Sequence, residues 1–213
     1  MKVSILLEKL WIDKKEFVKS DELKKYCKTL NLDYTTTVKN FTHRGHLVRI
    51  FKGIFYVRPP EGLMFGKTKY NHLELVAKGL ELKGVKNWYF GLHTALKHNN
   101  MTHEYFTIDE VISDSLFRAK PITIAGYKFK FVKISPSLLN FGIKKSNNTM
   151  LYYSDPEKTI LDFVYLSTQD GVPANRVIMD VSEWSEKVSK EKLKKYSKNY
   201  PKTVAAVAEE LSK

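Results

Sequence analysis

Two hydrophobic periodicities divide this chain. In its first sixty residues apolar positions recur at helical spacing. Leu23, Cys27 and Leu30 fall at i, i+4 and i+7, and Tyr34, Val38 and Phe41 repeat the interval. Each run begins with a capping signal: Ser20 precedes the acids Asp21 and Glu22, and Asp33 precedes Tyr34. Asn31-Leu32 leaves room for a short turn between the two helices, and Gly45 stops the second. The segment HLVRIFKGIFYVR then alternates and is rich in β-branched and aromatic residues, with Lys52-Gly53 as a two-residue turn at its centre. SILLEKLW supplies an earlier helix. Three helices followed by a hairpin predict a winged helix-turn-helix over residues 1–60.

RPPEGLMFG, Arg58 to Gly66, combines a proline pair with glycines and is the expected boundary, with a second domain over 67–213. YNHLELVAKGLEL reads as a helix, and WYFGLHTALKHN as a strand entering a helix through Gly91. EYFTIDEVIS and MLYYS read as strands, and KPITIAGYKFKFVKIS as a hairpin turning at Ala125-Gly126. From Pro156 the pattern is helical, interrupted at Gly171-Val172-Pro173 and Tyr200-Pro201. The expected fold class is α+β: an N-terminal winged helix-turn-helix, then a mixed α/β domain with a helical C-terminal part.

Composition narrows the possible partners. A hydrophobic content of 43% leaves enough apolar mass for a core, and the formal charge of +13 favours an anionic partner, nucleic acid before an anionic membrane surface. The lone Cys27 excludes an internal disulfide and a cysteine zinc site, and its apolar helical position suits a small buried hydrophobe. No run of about 18 apolar residues predicts a membrane span. The N-terminal MKVSILLEKLW has too short an apolar stretch for a signal peptide, so a cytoplasmic protein is expected.

With Tyr34, Val38 and Phe41 facing inward, the second helix turns Thr36, Lys39, Asn40 and His43 outward, with Thr35 at the flank. Such side chains hydrogen-bond phosphates and base edges. Arg44, Arg49 and Lys52 add positive charge at the helix end and in the hairpin. These eight residues are the expected contacts to double-stranded DNA; the competing reading is a solvated face used for protein contacts. His93, His98 and His103 are spaced by five, which rotates successive side chains apart on a helix and suits no shared metal. No glycine-rich phosphate loop and no G-x-S-x-G elbow occurs, so no cofactor, no metal and no catalytic residue is expected.

YYSDPEKTILDF, Tyr152 to Phe163, admits two readings. Asp155, Glu157, Lys158 and Asp162 could form the acidic cluster of a metal-dependent nuclease. In the order Asp155-Pro156-Glu157-Lys158, however, no spacer separates acid from lysine, and Pro156 would break the strand such a site requires. A helix start fits better. Ser154 or Asp155 is the cap, Pro156 suits the first turn, Ser154 and Glu157 match a capping box, and Ile160, Leu161 and Val164 form a buried stripe. Glu157 and Asp162 would then hold the sheet and terminal helices in register.

These segments together resemble the AbiEi family, antitoxins of abortive-infection, type IV toxin–antitoxin systems. The resemblance runs through LVRIFKGIFYVRP, WYFGLHTALKHNNMT, ITIAGYKFKFVKI and YSDPEKTILDF. The last is the most specific, with Lys158 where arginine is common. It implies a repressor whose winged helix binds inverted repeats upstream of its own bicistronic operon, with DNA contacts around Thr35 to Arg44 and at Arg49 and Lys52. It further implies that the second domain antagonises a nucleotidyltransferase-like toxin, in several members without a stable toxin–antitoxin complex. Lys192, Lys194 and Lys195 are candidate antitoxin positions, each competing with a solvated helix face. Two alternatives remain: a nuclease that finds DNA through the winged helix, and a ligand-responsive winged-helix regulator.

Overall fold

The computed structural model describes residues 2–65, 68–146, 149–186 and 188–212, without the side chains of 2–4, 64 and 65. Met1, Gly66, Lys67 and Lys213, where expected boundaries fall, lie outside the described residues. The fold is mixed α+β, with ten α-helices and two sheets among the described residues. The chain divides into two compact units, Met1–Gly84 with Thr123–Gly126, and Val85–Ile122 with Tyr127–Lys213.

The first unit begins α1 (Lys2–Ile12), β1 (Phe17–Lys19), α2 (Ser20–Thr29), α3 (Tyr34–His43), β2 (Leu47–Phe51) and β3 (Ile54–Val57). Its core joins Leu6 and Leu10 of α1, Leu23 and Cys27 of α2, Val38 and Phe41 of α3, and Leu47, Phe55 and Val57 of the strands. The hairpin turns at Gly53, whose φ of +78° suits a residue without a β-carbon. The antiparallel sheet order is β1-β3-β2, so a third strand, unexpected from the sequence, flanks the hairpin. Three residues are too few to display alternation.

That strand explains a correction at Ser20. The residue is not a cap; α2 starts at Ser20 itself, after Lys19, which makes no side-chain cap. Ser20 donates its backbone N–H to the Gly53 carbonyl (2.8 Å), and its hydroxyl accepts from Tyr34 Oη (2.8 Å). One of the helix's free N–H groups is thus satisfied from the hairpin turn before β3 rather than by a side-chain cap. Asp33 does cap α3, accepting from the Thr36 N–H at 2.7 Å.

α4 (Pro60–Phe65) and α5 (His72–Lys83) follow in this unit. A reciprocal capping box between Asn71 and Glu74 opens α5. Gly79 marks its closest approach to β2: a β-carbon there would stand 2.5 Å from Ile50 Cγ2. The division therefore falls after Gly84 rather than at Arg58–Gly66. The proline pair opens a short helix instead of a linker, and α5 needs β2 and β3 to bury Leu75, Val76 and Leu80.

The second unit contributes β4 (Trp88–Phe90), α6 (Leu92–His98), β5 (Ile108–Ser113), Ile122 of β6 (Ile122–Ile124), β7 (Tyr127–Lys133), β8 (Ile143–Lys145) and β9 (Tyr152–Ser154), the rest of β6 falling in the segment Thr123–Gly126. The sheet order is β6-β7-β5-β4-β9-β8, with β5/β7 and β4/β9 parallel and β4/β5 and β8/β9 antiparallel. Four helices follow: α7 (Pro156–Gln169), α8 (Ala174–Ser185), α9 (Lys190–Ser197) and α10 (Lys202–Glu210). Tyr89, Ile112 and Val132 form the sheet's contribution to a core with Ile160, Leu161 and Val164 of α7 and Leu193 and Val204 of α9 and α10. The helix breaks lie at the two expected places, and a further one separates α8 from α9. Strand β8, another three-residue element, was not expected. No helix of the described residues is long and apolar enough to cross a membrane.

Candidate nucleic-acid interface and buried charge cluster

α3 buries Thr37, Val38 and Phe41 and half-buries Tyr34. The opposite arc is open: Thr35, Thr36, Lys39, Asn40 and His43 are exposed, as are Arg44 at the helix end, Arg49 on β2 and Lys52 in the hairpin turn. All eight expected contacts therefore lie on the surface of one unit. Among the described residues no carboxylate pairs with Lys39, Arg44, Arg49 or Lys52. The nearby acids are engaged elsewhere, Glu22 with Lys15 (2.6 Å), Asp21 with Lys24 (3.6 Å), Glu16 with Lys69 and Glu81 with Lys78 (3.2 Å). The guanidinium carbon of the exposed Arg49 lies 5.5 Å from the Phe55 ring centre, a cation–π contact. The sequence did not single out His46 and Arg58. Among the described residues, His46 Nδ1 and Arg58 Nε are buried with no hydrogen-bond partner. The signal for Arg58 was present, a basic residue closing the alternating run, but the prolines after it made it read as linker.

The three histidines do not converge. His93 Nδ1 lies 2.8 Å from Glu110 Oε2, which also accepts the His93 backbone N–H at 3.0 Å. His98 stacks on Tyr153 at 3.7 Å, and burial pushes its pKa down. His103 is exposed in the loop after α6. Cys27 is buried, and desolvation raises its thiol pKa.

YYSDPEKTILDF enters α7 as a helix start with its charges turned inward. Asp155 is the cap, accepting from the Lys158 N–H at 3.0 Å; Ser154 belongs to β9, and its hydroxyl bonds Thr159 Oγ1 at 2.7 Å. The expected capping box with Glu157 does not form, because the Glu157 carboxylate turns to α9 instead. It accepts from the Ser189 N–H (3.0 Å) and from Lys192 Nζ (2.7 Å), while Lys192 also reaches Asp155 Oδ2 at 2.7 Å. Burial opposes ionisation of Glu157, but Lys192 and the Ser189 N–H outweigh it and hold its pKa below the usual carboxylate value. Partial burial likewise opposes the charge on Lys192, and its two carboxylate partners hold its pKa above the usual lysine value. Lys192 is thus half-buried and ion-paired rather than part of a solvated face; Lys194 and Lys195 are exposed.

One turn further in, Lys158 and Asp162 are fully buried and 3.1 Å apart. Lys158 Nζ also donates to the Leu138 carbonyl (2.7 Å) and Tyr200 Oη (3.1 Å), and lies 4.7 Å from the Phe141 ring centre. Asp162 accepts from Tyr200 Oη (2.7 Å) and from Tyr89 Oη (2.6 Å). Burial and then the Asp162 charge push both phenol pKa values well above the usual tyrosine value. The loop over Lys158 passes so close that a β-carbon on Gly142 (φ +65°) would stand 2.7 Å from Lys158 Cβ. Glu157 and Asp162 therefore face different partners and do not meet at an open site. Asp162 bonds Tyr89 of β4 and Tyr200 before α10, and Glu157 bonds Ser189 and Lys192 at α9. Among the described residues no group of three or more metal-ligating side chains occurs.

No protein-family profile matches this chain, and no curated protein matches it. Among solved structures it is similar to the crystal structure of RV2827C protein from Mycobacterium tuberculosis. The likeness covers 99% of this chain and 76% of that one, with a TM-score of 0.60 and 16% sequence identity. At that identity the likeness is one of fold.

Proposed function

We propose that this protein is a DNA-binding antitoxin that represses its own type IV toxin–antitoxin operon. The first unit acts as a winged helix-turn-helix, with α2 and α3 as its paired helices and β2–β3 as the wing. One observation carries the DNA half of this reading. Thr35, Thr36, Lys39, Asn40, His43, Arg44, Arg49 and Lys52 are all exposed on one module, and none of the cations among Lys39, Arg44, Arg49 and Lys52 has a carboxylate partner among the described residues. Unneutralised cations beside a polar helix suit a phosphate backbone, and Asn40 and the threonines suit base edges.

The antitoxin half rests on the AbiEi-like segments of the second unit. In this reading the chain acts by binding, in the cytoplasm, and antagonises a nucleotidyltransferase-like toxin encoded beside it. The inward engagement of Glu157 and Asp162 supports a scaffold role for that segment over a nuclease centre. Mobility-shift titration with duplex from the chain's own promoter tests the DNA half. Specific retardation that weakens steeply with salt is expected; equal affinity for promoter and unrelated duplex would remove the repressor assignment. Co-expression with the adjacent gene tests the antitoxin half, which fails if growth arrest by that gene is not relieved.

A further inference from the structure

Arg58 follows β3, and its backbone is fully used. Its N–H donates to the His46 carbonyl (2.9 Å), and its carbonyl accepts from Trp11 Nε1 (3.1 Å). Its guanidinium is not. Among the described residues its buried Nε has no acceptor, while the residue as a whole stays half-buried. A charged donor left unpaired in the protein is costly, so the arrangement calls for an external acceptor. The guanidinium lies close to Gly45, just past the end of α3: a β-carbon there would stand 3.2 Å from Arg58 Nη1.

The cleft that Arg58 lines has a volume of about 670 Å³. Lys39 of α3 and Arg49 of β2 line it as well, Ala125 and Gly126 of the same unit complete its wall, and no acidic residue takes part. The Thr42 hydroxyl within it is committed to the Val38 carbonyl at 2.7 Å, so the cleft offers a ligand its three cations beside the hydroxyl-bearing Thr35 and Thr123. A planar fork flanked by two further cations matches the oxygens of a phosphate. We infer that Arg58, with Lys39 and Arg49, forms a phosphate-binding cleft beside α3, and that its occupant is a backbone phosphate of bound duplex. This deepens the DNA-binding reading and rests on it. Arg58 positions the protein on the duplex and reads no base.

Fluorescence anisotropy over a salt series, with promoter duplex and an unrelated duplex, tests this on the full chain. Arg58→Gln should weaken both duplexes about tenfold, leave their ratio unchanged, and make the slope of log affinity against log salt shallower by about 0.9. Arg58→Lys should restore the slope but only part of the affinity. Unchanged affinity and slope in Arg58→Gln overturns the cleft, and a loss confined to the promoter overturns its phosphate character. Where Arg58→Gln melts early by circular dichroism, the exposed Arg49→Gln carries the same slope prediction. Inorganic phosphate, titrated calorimetrically into DNA-free protein at low salt, distinguishes the source. Saturable micromolar binding lost in Arg58→Gln would transfer the cleft to a free phosphate ligand and overturn the duplex assignment. Wild-type protein that binds no duplex defeats the proposed function itself, whereas duplex binding indifferent to Arg58 defeats the cleft alone.

Discussion

The surface of α3 and the start of α7 both concentrate charge, and they use it in opposite ways. On α3 and β2 the cations Lys39, Arg44 and Arg49 are exposed and lack carboxylate partners among the described residues. On α7, Asp155, Glu157, Lys158 and Asp162 are all buried, and each meets named partners, from Lys192 and Ser189 to Tyr89 and Tyr200. Charge satisfied inside the protein holds elements together. Charge left unsatisfied at a surface is available to something else. Sequence proximity of acids and bases does not distinguish the two cases, because both stretches are dense in polar residues.

The sharpest way to break this contrast is Asp162→Ala. It strands the Lys158 ammonium in the core and should cost about 3–5 kcal/mol of unfolding free energy in urea titrations. Stability within error of wild type would show that the cluster holds nothing in register. Adding Lys158→Met to Asp162→Ala should recover much of that loss, since removing both charges is less costly than removing one.

The α3 surface should behave in reverse. Lys39→Ala with Asn40→Ala should abolish promoter-specific retardation while changing unfolding free energy by less than about 1 kcal/mol, since neither side chain is buried. Promoter specificity that survives the double change would mean that α3 is not the reading helix.

A finer test uses pH. The folded Glu157 pKa is lowered from 4.5, so its ionised form stabilises the protein fully above that value, and the contribution is lost as pH falls through the lower folded value. Wild type should therefore exceed Glu157→Gln in stability at neutral pH, with the gap closing in acid below about pH 4.5. A gap constant down to pH 3 would contradict the ion pair with Lys192. The smallest effect belongs to Lys194→Ala and Lys195→Ala, whose exposed side chains should leave thermal stability within about 0.5 kcal/mol of wild type.

Much of the local structure was legible. Helical spacing marked Leu23, Cys27, Val38 and Phe41 as core, and all four are buried. Asp33 caps α3, and the hairpin turns fall at Lys52-Gly53 and Ala125-Gly126, where Gly53, Ala125 and Gly126 take positive φ. Such features depend on a few neighbouring residues, so sequence carries them. Strands β1 and β8 escaped because three residues cannot display a period, and Ser20 was misread because Gly53, remote in the chain, satisfies its N–H. The unit boundary escaped for the same reason, since the partner of Gly79 is β2.

The sequence by itself determined which faces of α2 and α3 turn inward, where the helices stop, and that the chain carries a large excess of positive charge. Periodicity, capping and composition are local or additive properties. Only the tertiary structure decided that Lys158 and Asp162 are buried together while Arg49 and Lys52 stay open, that Lys192 serves Asp155 and Glu157, and that Arg58 lies over Gly45 without an acceptor. The free energy of a charge depends on what surrounds it in space, and those surroundings come from residues distant along the chain.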